Sequence, residues 1–151
     1  MRTMSIAIRA LLVLVTTSCG GGGGGGYGPS EQDIKNSLAD TLRSVAGDWT
    51  GVTSGPNAIR LEFRLQEASN GQISGTGTMK EENTPSAVPI SVSGTFQRPV
   101  LTLAFDGIVY DARPVKGVAQ GSYTTVGGIG TPLTLTAPGY SREVAILLQE
   151  K

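Results

Sequence analysis

The sequence contains no histidine, one cysteine and one tryptophan, and aromatic residues make up only 5% of its 151 positions. The absence of histidine removes the side chain most used for acid–base catalysis near neutral pH and the commonest metal ligand. With a single cysteine, Cys19, the chain can form neither an intramolecular disulfide nor a multi-thiolate zinc site. It also lacks the residues for a Ser-His-Asp triad or a Cys-His pair. The sequence thus indicates no catalytic residue, no metal site and no cofactor, and we expect the protein not to be an enzyme.

The chain also has no excess of charge of either sign, because its 12 basic and 12 acidic residues cancel. No stretch concentrates lysine or arginine as a phosphate-binding face would, so we expect no nucleic acid partner. Long hydrophobic runs are absent too. The apolar run at residues 10–15 is far shorter than the roughly 20 residues that span a bilayer.

The amino-terminal stretch "LLVLVTTSC" carries that apolar run and ends at the only cysteine, Cys19. Arg2 and Arg9 give it a positive start, and three small polar residues precede the cysteine, as at a signal cleavage site. It resembles a bacterial lipoprotein signal, in which residues 1–18 are removed and the cysteine thiol carries a diacylglyceryl group. The alternative is an incidental or buried cysteine in a secreted or cytosolic chain.

This resemblance implies a protein anchored by lipid to the membrane of a bacterial cell envelope, facing the periplasm or the cell surface. Gly20, rather than aspartate, follows the cysteine and favours the outer membrane. The chain continues with seven consecutive glycines, which have no side chain to bury and a large unfolded-state entropy. Residues 19–29 are therefore predicted to be the lipidated cysteine and a flexible tether.

Residues 30–47, "SEQDIKNSLADTLRSVAG", are typical of one short amphipathic helix. Ser30 and Asp33 can cap its start, and Gly47 can end it. An apolar stripe has helical spacing and comprises Ile34, Leu38, Leu42 and Val45. We expect this helix to dock on the domain or to cover one end of it; the alternative is a helix lying on a membrane surface.

From residue 48 the hydrophobic period changes to two. In "AIRLEFRLQ", Ile59, Leu61, Phe63 and Leu65 alternate with polar residues, which indicates a half-buried antiparallel strand. Eight such segments, separated by Gly, Pro and Asn turns, are predicted at residues 48–53, 58–66, 72–80, 88–96, 100–105, 108–113, 116–124 and 131–137. Short turns favour pairing between sequence neighbours, so residues 48–151 are predicted to form an up-and-down antiparallel β-barrel with a tail. The tail "SREVAILLQEK" suits either a strand or a short helix.

The turns also predict the register of the strands. A three-residue loop at residues 69–71, with Gly71 left-handed, places Phe63 opposite Gly77. A two-residue turn at Arg98–Pro99 and an Asp106–Gly107 hairpin extend this register along the chain, and the hairpin sets Leu103 against Tyr110. Large residues therefore face glycines repeatedly. Such glycines either leave room for a ligand or permit bending and accept a neighbouring side chain, and the second is expected here.

"AGDWTG" follows the predicted helix and opens the first strand, as the Gly-x-Trp element does in lipocalins. With "GQISGTGTM", "ISVSGTF", "LTLAF" and "GTPLTLTAP", the chain resembles small bacterial lipocalin-like lipoproteins. The resemblance implies an eight-stranded barrel closed at one end by Gly47 and Trp49. A barrel that carries a ligand would line its interior with residues such as Phe63, Met79, Ile90, Phe105 and Tyr110.

Three functions follow from these observations. The leading expectation is a non-enzymatic interaction or scaffold module with an envelope protein as partner, which requires a filled barrel and an exposed apolar patch. A carrier of a small apolar ligand requires a cavity in the barrel instead. A hydrolase, the least favoured, requires clustered polar residues at the open mouth.

Overall fold

The computed structural model describes residues 28–34, 37, 43–82, 84–124 and 127–151. Eight antiparallel strands form a closed barrel in which every strand pairs with its sequence neighbours and β1 pairs with β8. The strands are β1 (Gly47–Thr53), β2 (Ile59–Glu67), β3 (Gln72–Glu81), β4 (Val88–Gln97), β5 (Val100–Tyr110), β6 (Arg113–Ser122), β7 (Gly128–Ala137) and β8 (Tyr140–Glu150). The predicted fold, an eight-stranded up-and-down barrel, is confirmed.

The core forms because each strand alternates between apolar and polar residues. In β2, Ile59, Leu61, Phe63 and Leu65 point inward and are buried, while the polar residues between them are exposed. The inward side chains of all eight strands join in one hydrophobic cluster. A one-residue slip would turn this set to solvent, so the pattern fixes the register of the barrel.

The predicted register of β2 against β3 is confirmed. The Ala68 N–H donates to the Gln72 carbonyl over 2.9 Å, and Gly71 has the left-handed φ of 77° that the three-residue loop requires. Phe63 then lies opposite Gly77. The predicted Arg98–Pro99 turn is also present, and it joins β4 to β5 with Gln97 opposite Val100.

The predicted hairpin at Asp106–Gly107 is wrong. Strand β5 continues through these two residues, and its register against β6 shifts between Phe105 and Ile108. The pair forms a β-bulge in which Gly107 has a φ of 90°. A β-bulge and a tight hairpin turn both need a residue with positive φ, and the glycine of an Asp-Gly pair can supply it in either structure. Leu103 therefore faces Ala119 rather than Tyr110.

The turn between β5 and β6 lies at Asp111–Ala112 instead. Both residues have positive φ, 53° and 57°, and Tyr110 pairs with Arg113 across them. This is the backbone of a two-residue hairpin turn, although alanine rarely adopts it. The strand predicted at residues 100–105 is thus the first part of β5, whereas residues 108–113, predicted as a separate strand, comprise the end of β5, the turn and the first residue of β6.

The carboxyl-terminal tail supplies the eighth strand. β8 pairs with β7 along its length and with β1 through its second half, so that Thr53 faces Ile146 and Trp49 faces Glu150. Of the two structures left open for the tail, the strand is therefore the one adopted. The barrel has eight strands as predicted, but their bounds differ: two predicted segments share β5, and the tail forms β8.

The helix before the barrel is shorter than predicted. Residues 31–34 and 37 are helical, and the Asp33 N–H donates to the Ser30 hydroxyl over 3.2 Å while the Ser30 N–H donates to the Asp33 carboxylate over 2.9 Å. This reciprocal cap is as predicted. The predicted end at Gly47 is wrong, because residues 43–46 are not helical and Gly47 is the first residue of β1. Cys19 and the glycine tether lie outside the described residues.

Candidate functional site

The five residues expected in the barrel interior all lie in the core. Phe63, Met79, Ile90, Phe105 and Tyr110 are at most 4% exposed and belong to one hydrophobic cluster. The rings of Phe63 and Phe105 meet edge to face, with centroids 5.5 Å apart. The Met79 sulfur accepts a hydrogen bond from the Val109 N–H over 3.0 Å. These side chains are therefore part of the barrel core.

A chain of aromatic rings lies in the interior of the barrel. Trp49 stacks on Phe63 at 6.4 Å and lies 5.7 Å from Tyr123, which in turn meets the edge of Phe96 at 5.8 Å. Stacked and edge-to-face pairs at these distances stabilise a core beyond their buried area. The space between the strands at this end is therefore occupied by side chains.

The segment before β1 closes this same end of the barrel, and we call residues 43–46 the closing segment. Its Val45 is fully buried and accepts a hydrogen bond from the Trp49 indole N–H over 2.9 Å. Trp49 is itself fully buried, and Gly47 pairs with Leu65 at the start of β1. Gly47 and Trp49 thus lie at the start of β1, beside the closing segment, and their role in closing the barrel stays a prediction from the resemblance.

Glu67 fastens the closing segment to β2. Its carboxylate accepts hydrogen bonds from the Ser44 hydroxyl at 2.7 Å and the Val45 N–H at 3.1 Å, and it pairs with Arg98 at 2.5 Å. The side chain is only 8% exposed, and this burial by itself would raise the pKa of Glu67. The three donors outweigh burial and hold the pKa of Glu67 below its ordinary value. These contacts hold Ser44 and Val45 in their non-helical conformation.

A second carboxylate, Glu150 of β8, fastens the other side of the closing segment. It pairs with Arg43 at 2.6 Å and accepts a hydrogen bond from the Tyr123 hydroxyl at 2.8 Å. Burial of Tyr123, together with this bond to an anion, raises the pKa of the tyrosine to about 12. The sequence reasoning missed this cluster. The sequence feature that could have indicated it is Glu150, a charged residue at an inward position of β8. That position can be recognised only if the tail is already known to be a strand.

The opposite end of the barrel carries a pocket beside the β5 bulge. Its volume is about 480 Å³, and its walls come from β5, β6 and the end of β7: Asp106, Gly107, Ile108, Val109, Pro114, Val115, Lys116, Thr136, Ala137 and Pro138. Most of these residues are apolar, and the Asp106–Lys116 ion pair at 3.1 Å is solvent-exposed. The β6–β7 pairing ends at Lys116 and Thr136, so the two strands are no longer paired beside the pocket. Sequence reasoning missed it by reading the bulge as a hairpin.

An apolar groove runs along the outside of the barrel, and we call it the β1–β8–β7 face. Val52 and Leu147 are 41% and 50% exposed and lie directly opposite each other on β1 and β8. Gly130 of β7 faces Leu147 on its other side. The groove has a volume of about 530 Å³, and Pro132 and Ala145 extend its apolar surface.

The part of the chain that the structure describes contains no group of three or more histidine, cysteine, aspartate or glutamate side chains arranged to hold a metal ion. No helix within that part is long and apolar enough to cross a membrane. Comparisons with protein-family models, curated proteins and solved structures give no match for this chain. The architecture itself, a closed eight-stranded antiparallel barrel, is compatible with a lipocalin-like fold.

Proposed function

We propose that this protein is a lipid-anchored component of a bacterial cell envelope whose barrel is a non-enzymatic interaction module. The observation that carries the proposal is the β1–β8–β7 face, where two large aliphatic side chains are opposed on the outside of a barrel whose inward side chains form one hydrophobic cluster. Isolated exposed apolar residues are ordinary, but a contiguous apolar groove favours recognition of another molecule.

The size of this face suits a partner that inserts a few apolar side chains. The groove contains no charged residue, and its lining comprises Val52, Thr53, Ser54, Gly130, Thr131, Pro132, Ala145, Ile146 and Leu147. Full burial of a valine or leucine side chain contributes about 1.5–3 kcal/mol. Val52 and Leu147 together can therefore provide a substantial part of a binding energy without any polar contact. We propose an envelope protein as the partner.

Site-specific photo-crosslinking in intact cells tests this face. A photoreactive residue at Leu147 should give one defined adduct with an envelope protein, and Val52→Asp should abolish that adduct by placing a charge in the groove. Val118 is a matched control position, because it is 44% exposed on β6 but does not line the groove. Equal crosslinking from positions 147 and 118, or an adduct that persists in Val52→Asp, would contradict the proposal.

The anchor is tested separately through Cys19. The native chain should fractionate with membranes and carry diacylglyceryl mass, while Cys19→Ser should remain an uncleaved precursor without that mass. Stable anchoring needs more than one acyl chain, which a bacterial lipoprotein provides. A native protein that is soluble and has a free thiol at Cys19 would refute the lipid anchor. The proposed role of the β1–β8–β7 face would then still depend on the crosslinking experiment alone.

One observation favours a second function, binding of a small apolar ligand. The pocket beside the β5 bulge, about 480 Å³, falls within the roughly 300–1,000 Å³ that is usual for ligand sites. We place this ligand at the bulge rather than among the packed core residues. A fluorescent apolar probe should bind the wild type and lose affinity in Val109→Glu. Val118→Glu adds the same charge outside the pocket and should bind the probe normally; equal losses in both variants would reject this second function.

A further inference from the structure

The β1–β8–β7 face combines a projecting side chain with an open space beside it. Leu147 is 50% exposed and pairs with Gly130 on the neighbouring strand, so the two residues lie at the same height on the outer surface. A Cβ atom added at Gly130 would meet no atom within 4 Å. Among the strand glycines that the structure describes, Gly130 is the one with such open space. The face therefore has a protrusion and a recess side by side.

The same two strands repeat this pairing one step further along. Ala145 of β8 pairs with Pro132 of β7, and both residues are exposed. Side chains on one face of a strand recur at every second residue. Leu147, Ala145, Gly130 and Pro132 thus form a two-by-two array on the outside of the barrel. Three of the four have a short or rigid side chain, so Leu147 projects from an otherwise low surface.

The face carries no charge. None of the nine residues that line its groove has an ionisable side chain. Two copies of a face with charges of one sign would repel each other on contact, whereas an uncharged apolar face has no such penalty. It also offers an acidic or basic partner no group of opposite charge. The absence of charge therefore favours an apolar partner and permits a second copy of the face itself.

A two-fold axis makes this face complementary to itself. In a two-fold dimer the same patch is used twice, so a residue that contacts another in the copy is matched by the reciprocal contact. Because Leu147 and Gly130 lie at the same height, an axis that runs along the strands between β8 and β7 places each Leu147 over the Gly130 of the other copy. Packed sheets lie about 10 Å apart and interdigitate their side chains. The space over Gly130 can accept the leucine at that separation.

The small size of the face limits the kind of partner that can occupy it. Stable interfaces between proteins use about 20–30 residues on each side, whereas nine residues line this groove. A contact through so few residues is weak, and it is populated only where the partner has a high local concentration. Confinement of both partners to one membrane raises that concentration in the way that a linker does. Copies of one lipid-anchored chain meet this requirement and also fit the shape of the face.

We propose that the β1–β8–β7 face binds a second copy of this chain in a two-fold dimer, with Leu147 of each copy seated over Gly130 of the other. This inference rests on the proposed function, because it names the envelope protein that occupies the face and uses the lipid anchor to concentrate it. Val52 pairs with Leu147 on the side away from β7 and borders the contact. The contact uses exposed positions, so each barrel keeps its fold.

Photo-crosslinking between two differently tagged copies in intact cells tests the dimer. A photoreactive residue replaces Gln149, which is exposed two positions after Leu147, and the readout is an adduct of twice the chain mass that carries both tags. Leu147→Glu or Gly130→Lys, present in both copies, should each lower this adduct at least about tenfold, because each places an unpaired charge in an apolar contact. Val118→Glu adds a charge at a 44% exposed position outside the groove and should leave the adduct unchanged.

A mixed pair of variants tests the two-fold arrangement itself. When one copy carries Leu147→Glu and the other carries Gly130→Lys, the introduced carboxylate faces the introduced ammonium group, and the second contact stays native. The adduct should then return to within about threefold of the wild-type level. A misfolded variant could not be restored in this way, so restoration excludes misfolding as the cause of the loss. Leu147→Ala, which adds no charge, should lower the adduct at least about threefold.

Three results would overturn the dimer. They are a Gln149 adduct that contains a different envelope protein and never both tags, equal losses in Leu147→Glu and Val118→Glu, or a mixed pair with no more adduct than either variant alone. The first result would leave the proposed function standing with another partner. Absence of any adduct from a photoreactive residue at position 147 would refute the proposed function as well, so the two failures are distinguishable.

Discussion

Gly77 of β3 offers the most direct test of how closely the strands approach. A Cβ atom added at this position would lie 2.5 Å from the Phe63 Cβ and 2.6 Å from its Cα, and closer still to the Glu62 carbonyl oxygen. Each of these atoms is backbone or attached directly to it, so none can move without displacing β2. Even the single methyl group of Gly77→Ala should therefore be destabilising. Overpacking of this kind costs about 1–3 kcal/mol.

Two other glycines make the comparison quantitative. At Gly117 an added Cβ would meet the Ile108 Cδ1 atom at 2.7 Å, the end of a flexible side chain, whereas at Gly130 it would meet no atom within 4 Å. Gly117→Ala should therefore cost less than Gly77→Ala. Gly130→Ala should stabilise the barrel by about 0.4–1 kcal/mol, because alanine lowers the entropy of the unfolded chain and nothing opposes it in the folded state.

Urea denaturation followed by the fluorescence of Trp49 measures all three variants. Trp49 is the only tryptophan of the chain and is fully buried, so its emission reports the loss of the barrel core. Thermal unfolding gives a second measurement, because a change of 1 kcal/mol shifts the melting temperature of a domain near 100 residues by roughly 4–8 °C. A Gly77→Ala protein as stable as the wild type, or a Gly130→Ala protein less stable than Gly77→Ala, would refute the reasoning.

The remaining predictions concern the closing segment with its carboxylate contacts and, separately, the glycine tract. Because the pKa of Glu67 is lowered by folding, its stabilising effect is present above the ordinary glutamate pKa and is lost as the pH falls through the folded value. The difference in melting temperature between wild type and Glu67→Gln should thus be largest near neutral pH and shrink in acid; a constant difference would contradict the assignment. Tyrosinate absorbance should reveal one group in the wild type with a pKa of about 12 that disappears in Tyr123→Phe. Deletion of several glycines from residues 20–26 should leave the melting temperature unchanged, and a large fall would show that this tract belongs to the fold.

Local sequence was sufficient for the loop between β2 and β3 and for the Arg98–Pro99 turn between β4 and β5. The loop before Gln72 has one arrangement that buries both flanking apolar faces, and it correctly aligned Phe63 with Gly77. The same logic failed at Asp106–Gly107, because a bulge and a hairpin turn place the same demand on the glycine backbone. The choice between them depends on whether β5 continues to pair with β4 and β6 beyond Phe105. That pairing is determined by residues of the neighbouring strands and not by the Asp-Gly pair itself.

The closed end was only partly predictable for a related reason. Trp49 and Gly47 could be placed from a local motif, but the carboxylates that hold the closing segment come from the ends of β2 and β8. Glu67 and Glu150 are 83 positions apart, and nothing in their immediate neighbours distinguishes them from solvated surface acids. The contacts of Arg113 with the Tyr140 ring and of Arg142 with the Tyr110 ring were missed similarly, since these residues meet only when the tail is a strand and the β5–β6 turn lies at residues 111–112.

The order of the strands also determines how the chain reaches its folded state. Seven of the eight ladders join neighbours in sequence, and only the β1–β8 ladder joins distant residues, such as Trp49 and Glu150. Hairpins with short loops form early because little chain entropy is lost, whereas a pairing that encloses about a hundred residues is entropically costly and slow. The barrel should therefore assemble as a growing meander whose two outer edges remain open until the last step. During that interval β1 and β8 expose unpaired backbone groups, which can pair with the edge of another chain. The β1–β8 pairing must therefore form faster than this intermolecular association for the protein to avoid aggregation.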